Sequence, residues 1–235
     1  PQTDDFNGPR QRGFGFYQVT QRNGRRCSAA VAYLRPARQR PNLVVRTHAL
    51  AARILLDGHR AVGVEYRSKG RTEIAEGGRV ILAGGAINSP ALLMLSGIGP
   101  AAHLRQHGIE VLVDAPGVGG NLQDHLDVCT LRKCTQDITY DNVNQAMAGL
   151  KFYLFKQGPG TSNVAESGGF WRSPLAEDER PDIQFHFVPA QLDDHGRNKL
   201  PGSGYTLHAC FLRPKSRGRL YLTSNSIQHK PRIEA

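Results

Sequence analysis

The first place where this sequence could do chemistry is Gly84-Gly85, between the apolar run Val80-Ile81-Leu82-Ala83 and a stretch that reads as a helix opening at Asn88-Ser89-Pro90. Glycines at such a corner let the backbone approach a ligand closely, and the free N–H groups of a first helical turn favour an anionic or polar group. Many α/β folds turn this way with nothing bound, so the motif alone leaves both readings open. His186 stands between Phe185 and Phe187, where a histidine reads as a satisfied core residue. The four cysteines, Cys27, Cys129, Cys134 and Cys210, have no metal-ligand spacing. No second pair completes a zinc site with Cys129 and Cys134, so all four read as reduced thiols and no metal is expected. A G-x-G-x-x-G turn, a Walker loop, HExxH and a Ser-His-Asp arrangement are all missing from the sequence, because Gly13-Phe14-Gly15 follows no strand pattern and lacks the third glycine.

The elements that must hold these residues fall into two textures. Residues 1–42 are rich in Gly, Arg, Asn and Pro and read as extended or looping chain, with a short helix around Ser28–Leu34. Leu43–Val45, Arg53–Leu56, Ala61–Tyr66 and Thr72–Ala75 read as strands of a β-meander, with Asp57-Gly58 as a hairpin turn. Val80–Ala83 reads as a strand buried on both faces. Ala91–Leu95 then reads as a helix with Asn88/Ser89 as cap and Pro90 in its first turn. A second helix over Ala101–His107, stopped by Gly108, leads into a strand at Ile109–Val113. Beyond the glycine loop Gly117–Gly120, residues 142–156 read as an amphipathic helix with Met147, Leu150 and Leu154 on one face. Ile183–Val188, Tyr205–Leu212 and Arg219–Leu222 read as strands. The fold class expected is α/β (α+β), with the domain boundary near Asp127.

A chain of 235 residues can bury a real core. It has no run near the roughly 20 apolar residues that span a bilayer. Net charge is +10 and unevenly placed: residues 1–80 hold 15 Lys/Arg against 6 Asp/Glu, and the remainder 15 against 14. A basic half can attract nucleic acid, anionic lipid or an anionic cofactor, can face an acidic partner surface, or can be a solvated face. The Arg residues are scattered rather than interleaved with aromatics, which make up only 7% of the chain, so nucleic acid is not an expected partner. No leader pattern follows Pro1, and a chain opening on Pro and closing on Ile233-Glu234-Ala235 reads as a piece of something longer.

The stretch Gly85–Gly99 resembles the second signature of the glucose–methanol–choline (GMC) oxidoreductases. Further blocks are similar to the same family in order: Tyr17–Gln21, Asn23-Gly24, Ser28–Ala30, Arg60–Tyr66, Pro116–Gly119, Asn121–His125 and Leu212–Gly218. The resemblance implies part of a Rossmann-like FAD-binding domain with its meander over 1–127 and part of an antiparallel-sheet substrate domain over 128–235. By position in the family, Ala51 lies where backbone groups hold the adenine, although a plain strand residue is the reading without the family. Ala83 and Gly84 lie where the strand end passes the cofactor.

The resemblance also implies that Asp127, His186 and Glu166 line the substrate site. Asp127 stands where choline-oxidising members carry a glutamate near the substrate cation, and His186 where a histidine approaches the hydroxyl. Asp127 could equally cap a turn. Choline-type members place a tryptophan before the residue matching Glu166, whereas this chain has Ala165, so a non-cationic primary alcohol is the expected substrate, with choline as the alternative. A basic nucleic-acid-binding module or a non-catalytic scaffold is the alternative of another class. Hydride would pass to FAD and then to a quinone or O₂, in a cytoplasmic enzyme that could touch the membrane peripherally. The family's pyrophosphate loop and catalytic histidine match nothing here and are expected upstream and downstream. No catalytic residue is therefore expected within the chain, and the piece alone is expected neither to retain FAD nor to turn over.

Overall fold

The computed structural model describes residues 1–198 and 200–235. They form two compact units interleaved in sequence: Pro1–Leu43 with His125–Arg213, and Val44–Asp124 with Pro214–Ala235. One crossing, at Asp124/His125, lies beside the expected boundary. The other two depart from a simple split into 1–127 and 128–235, because the opening segment gives a strand to the first unit's sheet and the closing segment completes the second unit's core. Strands and helices are numbered along the chain.

The first unit is built on a five-stranded antiparallel sheet of β1 (Gly13–Phe16), β9 (Leu126–Lys133), β10 (Ser167–Trp171), β11 (Ile183–Val188) and β12 (Gly204–Phe211), in the order β1-β10-β11-β12-β9. β11 and β12 match the expected strands closely, while β1 lies in the segment that reads as extended or looping chain, and β9 and β10 lie where the sequence assigns no element. The Asn23-Gly24 turn joins β2 (Gln21–Arg22) to β3 (Arg25–Arg26), both turn residues having positive φ as a tight hairpin requires. A π-turn over Ala30–Leu34 runs into α1 (Arg35–Ala37), at the short helix expected there. Phe6 is buried under the sheet against Tyr17 and Phe170, with ring centroids 5.2 and 5.4 Å away.

The helix expected over 142–156 is α4 (Gln145–Phe155). Asn144 caps it by accepting from the Met147 N–H at 3.0 Å, and Lys156 ends it in the left-handed conformation. Its apolar face, Met147, Leu150 and Leu154, is exposed.

The second unit opens with the meander β4 (Leu50–Asp57), β5 (Arg60–Ser68) and β6 (Arg71–Glu76), which contains three of the four expected strands. The fourth, Leu43–Val45, is not a strand, and Val44 is exposed. α2 (Gly85–Leu95), β7 (Ile98–Gly99), α3 (Ala101–Gln106) and β8 (Val113–Asp114) follow, with β7 and β8 paired in parallel. β13 (Arg219–Tyr221) and β14 (Arg232–Glu234) close the unit as an antiparallel pair. The core gathers Ala91, Met94 and Leu95 of α2, Leu104 of α3, Ile109, and Leu220 and Leu222 from the chain's last segment. Gly119 lets the glycine loop lie on β13: the Leu220 N–H donates to its carbonyl at 2.7 Å, and a Cβ there would meet the Leu220 carbonyl.

Two expectations around the glycine corner are corrected. Val80–Ala83 is not a buried strand: it pairs with nothing among the described residues, and Ile81 is 82% exposed. An apolar run records a preference for burial, but a strand exists only when a neighbour takes its N–H and C=O groups. The helix begins at Gly85 rather than Ala91, so Pro90 lies inside it. The Gly84 N–H donates to the Ser89 hydroxyl at 3.0 Å, so Ser89 serves the corner from within the first turns instead of preceding them. The expected strand at Ile109–Val113 shrinks to β8.

Candidate functional site

Cross-strand register assembles the site on one face of the five-stranded sheet. Asp127 of β9 lies opposite Cys210 of β12, which lies opposite Gln184 of β11. One step along, Cys129, His208, His186 and Gly168 form a second row across β9, β12, β11 and β10. Residues directly opposite one another, and those two apart on a strand, share a face. Of the residues expected at the substrate site, Asp127 and His186 thus share this face, with His208 between them.

His208 is the hub. Its Nδ1 lies 2.8 Å from Asp127 Oδ2 and 3.1 Å from Cys129 Sγ. Cys210 Sγ donates to Asp127 Oδ1 at 3.1 Å. The His186 ring meets His208 edge-on at 6.3 Å between centroids and is flanked on the other side by Tyr17 at 5.5 Å. Tyr17 occupies the space above Gly168 and donates to the Phe185 carbonyl at 2.5 Å. Nε2 of His208 is buried with no hydrogen-bond partner among the described residues.

The electrostatics follow from these contacts. Burial would raise the Asp127 pKa, but the hydrogen bonds from His208, Cys210 and Cys129, with the attraction of His208, together hold it below its ordinary value. Desolvation pushes the Cys210 thiol up to about 12, reinforced by its bond to the Asp127 carboxylate. Cys129 is raised for the same two reasons. Both thiols are therefore protonated and poor nucleophiles near neutrality. Desolvation and the neighbouring His208 lower the His186 pKa against the pull of Asp127, favouring a neutral imidazole.

Glu166 stands immediately before β10 and accepts from the Tyr140 hydroxyl at 2.6 Å, so its carboxylate is engaged apart from the Asp127–His208 cluster. In the second unit, Ala51 lies on β4, an edge strand, opposite Tyr66 of β5. α2 packs against β4, and the Ser96 hydroxyl accepts from the Ile54 N–H at 2.8 Å. Ala83 and Gly84 are exposed just before α2. His208, Cys129 and Cys210 are the members to which the sequence reading gave no site role, although His208 and Cys210 add to the resemblance to the family's aliphatic alcohol dehydrogenases. Their signal was two pairs at spacing two, Asp127/Cys129 and His208/Cys210, which matters only once the strands are known to be neighbours.

The sequence profile of the GMC oxidoreductases matches residues 1–127, more than half of the chain. The chain belongs to this family. It is 48% identical over 98% of its length to an alcohol dehydrogenase (acceptor) of Pseudomonas putida. To an oxygen-dependent choline dehydrogenase of Brucella ovis it is 49% identical over 99% of its length, and to the mitochondrial choline dehydrogenase of Homo sapiens 45% identical over 100%. It spans 43%, 43% and 40% of those proteins respectively. Among solved structures, pyridoxine 4-oxidase from Mesorbium loti superposes with a TM-score of 0.83 at 26% identity, covering 100% of this chain and 43% of that one. A formate oxidase superposes at 0.81 and 25% identity, over 90% and 42%. The mixed α/β architecture with antiparallel sheets is thus the GMC architecture.

The second unit's corner is compatible with the cofactor of GMC enzymes. α2 has neither a side-chain cap bond nor an acidic residue in its first turn, so its leading N–H groups can face an anionic or polar group. The edge of β4 offers backbone groups where an adenine contact would need them. No helix among the described residues is long and apolar enough to cross a membrane.

Proposed function

We propose that the protein to which this chain belongs oxidises a primary alcohol to the aldehyde with FAD, and that Asp127, His186 and Glu166 serve its substrate site. The observation that carries the reading is the array Asp127–His208–His186 on one sheet face of a GMC chain. Asp127, held ionised, fixes the ring of His208, and the carboxylate can stabilise positive charge that develops nearby. Neutral His186 can donate an N–H to the alcohol oxygen and orient it. Ala51, Ala83 and Gly84 would hold the adenine nucleotide, and the bound flavin supplies the hydride acceptor. The alcohol's proton is assigned to no residue of this chain. The electron acceptor, a quinone or O₂, and any peripheral membrane contact belong to the same proposal.

Choline is the second reading, favoured by the choline dehydrogenases among the relatives. Against it, Ala165 stands beside Glu166 where an aromatic face would hold a quaternary ammonium. Full-length flavoenzyme assayed on a series of primary alcohols and on choline, with a dye and with O₂ as acceptor, decides between them. The reading expects kcat/KM for an aliphatic alcohol at least tenfold above that for choline, and a marked loss in His186→Gln. Higher efficiency on choline would replace the first reading by the second, and no oxidation of either would overturn both.

A further inference from the structure

Asp127 Oδ2, Cys129 Sγ and His208 Nδ1 all lie within 4.8 Å of one another. Their separations are 2.8 Å (oxygen to nitrogen), 3.1 Å (nitrogen to sulfur) and 3.6 Å (sulfur to oxygen). Without a metal, two protons hold the trio together, the Nδ1–H and the Cys129 S–H, both directed at Asp127 Oδ2. A cation at the centre would satisfy all three together.

We propose that Asp127, Cys129 and His208 form a binding site for a thiophilic divalent cation of the Zn²⁺ class. The donor set is one sulfur, one imidazole nitrogen and one carboxylate oxygen, which suits a borderline ion and disfavours Mg²⁺ or Ca²⁺. Around tetrahedral zinc, with bonds of roughly 2.0–2.3 Å, such donors stand about 3.4–3.6 Å apart. The sulfur–oxygen separation is already of that size, and the other two must open by about half an ångström through side-chain rotation. Cys210 holds Oδ1, leaving Oδ2 to ligate, so it acts from outside the ligand set. The fourth position is open to solvent, since the Asp127 side chain is 33% exposed. The geometry follows from the fold itself: spacing two on each of two adjacent antiparallel strands makes a four-residue patch.

The site corrects the reading of the cysteines from spacing alone, which sought a second pair near Cys129 and Cys134 along the chain. The cation would take the same Oδ2 and Nδ1 that join Asp127 to His208, but its binding is read without flavin or alcohol, so failure of the site and failure of the proposed oxidation are told apart.

The test uses the 235-residue chain, stripped with a chelator and titrated with Co²⁺, then with Zn²⁺. One equivalent of Co²⁺ should produce a sulfur-to-cobalt charge-transfer band and strong visible absorption, both discharged by Zn²⁺. Cys129→Ser should abolish the charge-transfer band, and Asp127→Asn and His208→Gln should weaken Zn²⁺ binding at least about tenfold. The double variant Cys27→Ser/Cys134→Ser should bind as the parent does. Alkylation of Cys129 in the parent, followed by peptide mass analysis, should slow at least tenfold in saturating Zn²⁺, a readout that depends on no variant folding. The proposal is overturned if no charge-transfer band forms, if the band survives Cys129→Ser, if it depends on Cys27 or Cys134, or if Zn²⁺ leaves Cys129 alkylation unchanged.

Discussion

Oδ2 of Asp127 lies 2.8 Å from Nδ1 of His208 on the neighbouring strand, and this contact sets the charge of the whole cluster. Burial alone would push the carboxyl toward its neutral form. Donors from His208, Cys210 and Cys129 outweigh it and hold the Asp127 pKa below its ordinary value of 3.8. The ionised carboxylate in turn raises both thiols.

The lowered Asp127 pKa makes acid stability the first prediction. A carboxyl whose folded pKa lies below its unfolded value contributes stability that is complete above the unfolded value and lost as pH falls through the folded one. In chelator-containing buffer, Asp127→Asn should destabilise the chain by about 1 kcal/mol at pH 7, allowing for solvent screening. The parent and variant urea-denaturation curves should converge as pH drops below about 4. A gap that stays constant from pH 7 down to pH 2 would mean that the carboxylate charge is not what the cluster uses.

His186 acts in the same direction across a different window. Its folded pKa lies below the ordinary 6.5, first through desolvation and then through His208. Between those two values the unfolded chain binds more protons, so stability is complete above pH 6.5 and declines as pH falls. His186→Gln should remove that part of the decline. Denaturation midpoints measured from pH 7.5 to 5 should flatten in the variant, and an equally steep fall in both proteins would sink the assignment.

Tyr17 and Gly168 give a packing prediction. A Cβ at Gly168 would run into the Tyr17 hydroxyl and the Phe185 carbonyl to which that hydroxyl donates. Gly168→Ala should therefore cost about 1–3 kcal/mol by overpacking. Because Tyr17 flanks His186, the alanine should also shift the His186 ring resonances in NMR spectra. Tyr17→Phe keeps the ring and loses only the hydroxyl, so it should disturb those resonances less. If Gly168→Ala is neutral, the glycine is not there to admit Tyr17.

Strands β11 and β12 were legible because their period-two pattern is local, and the meander because Asp57-Gly58 marks its first turn. The helix over 142–156 was legible too, although its apolar face is exposed. Val80–Ala83 misled for a physical reason: its composition asks for a partner strand, which composition cannot supply. The cluster was legible only in fragments. Cys129 and His208 are 79 residues apart, and register alone makes them neighbours. Asp127 and His186 were named through family resemblance, whereas His208, which joins them, carries no local mark beyond its spacing from Cys210.

Leu104 tests whether the second unit has a core of its own. The side chain is fully buried, among α2, Ile109 and the Leu220 and Leu222 residues contributed by the chain's last segment. Truncation removes transferred apolar surface and leaves a cavity that a helix as short as α3 can only partly close, so Leu104→Ala should cost about 2–5 kcal/mol. Hydrogen exchange should locate that loss. Amides of α2, α3 and β13 should exchange faster together, since one cluster holds all three. Amides of β11 and β12, which belong to the other unit, should change much less. Uniform acceleration across both units would show that the chain unfolds as one cooperative body, and unchanged exchange in β13 would show that the closing segment is not bound into that core.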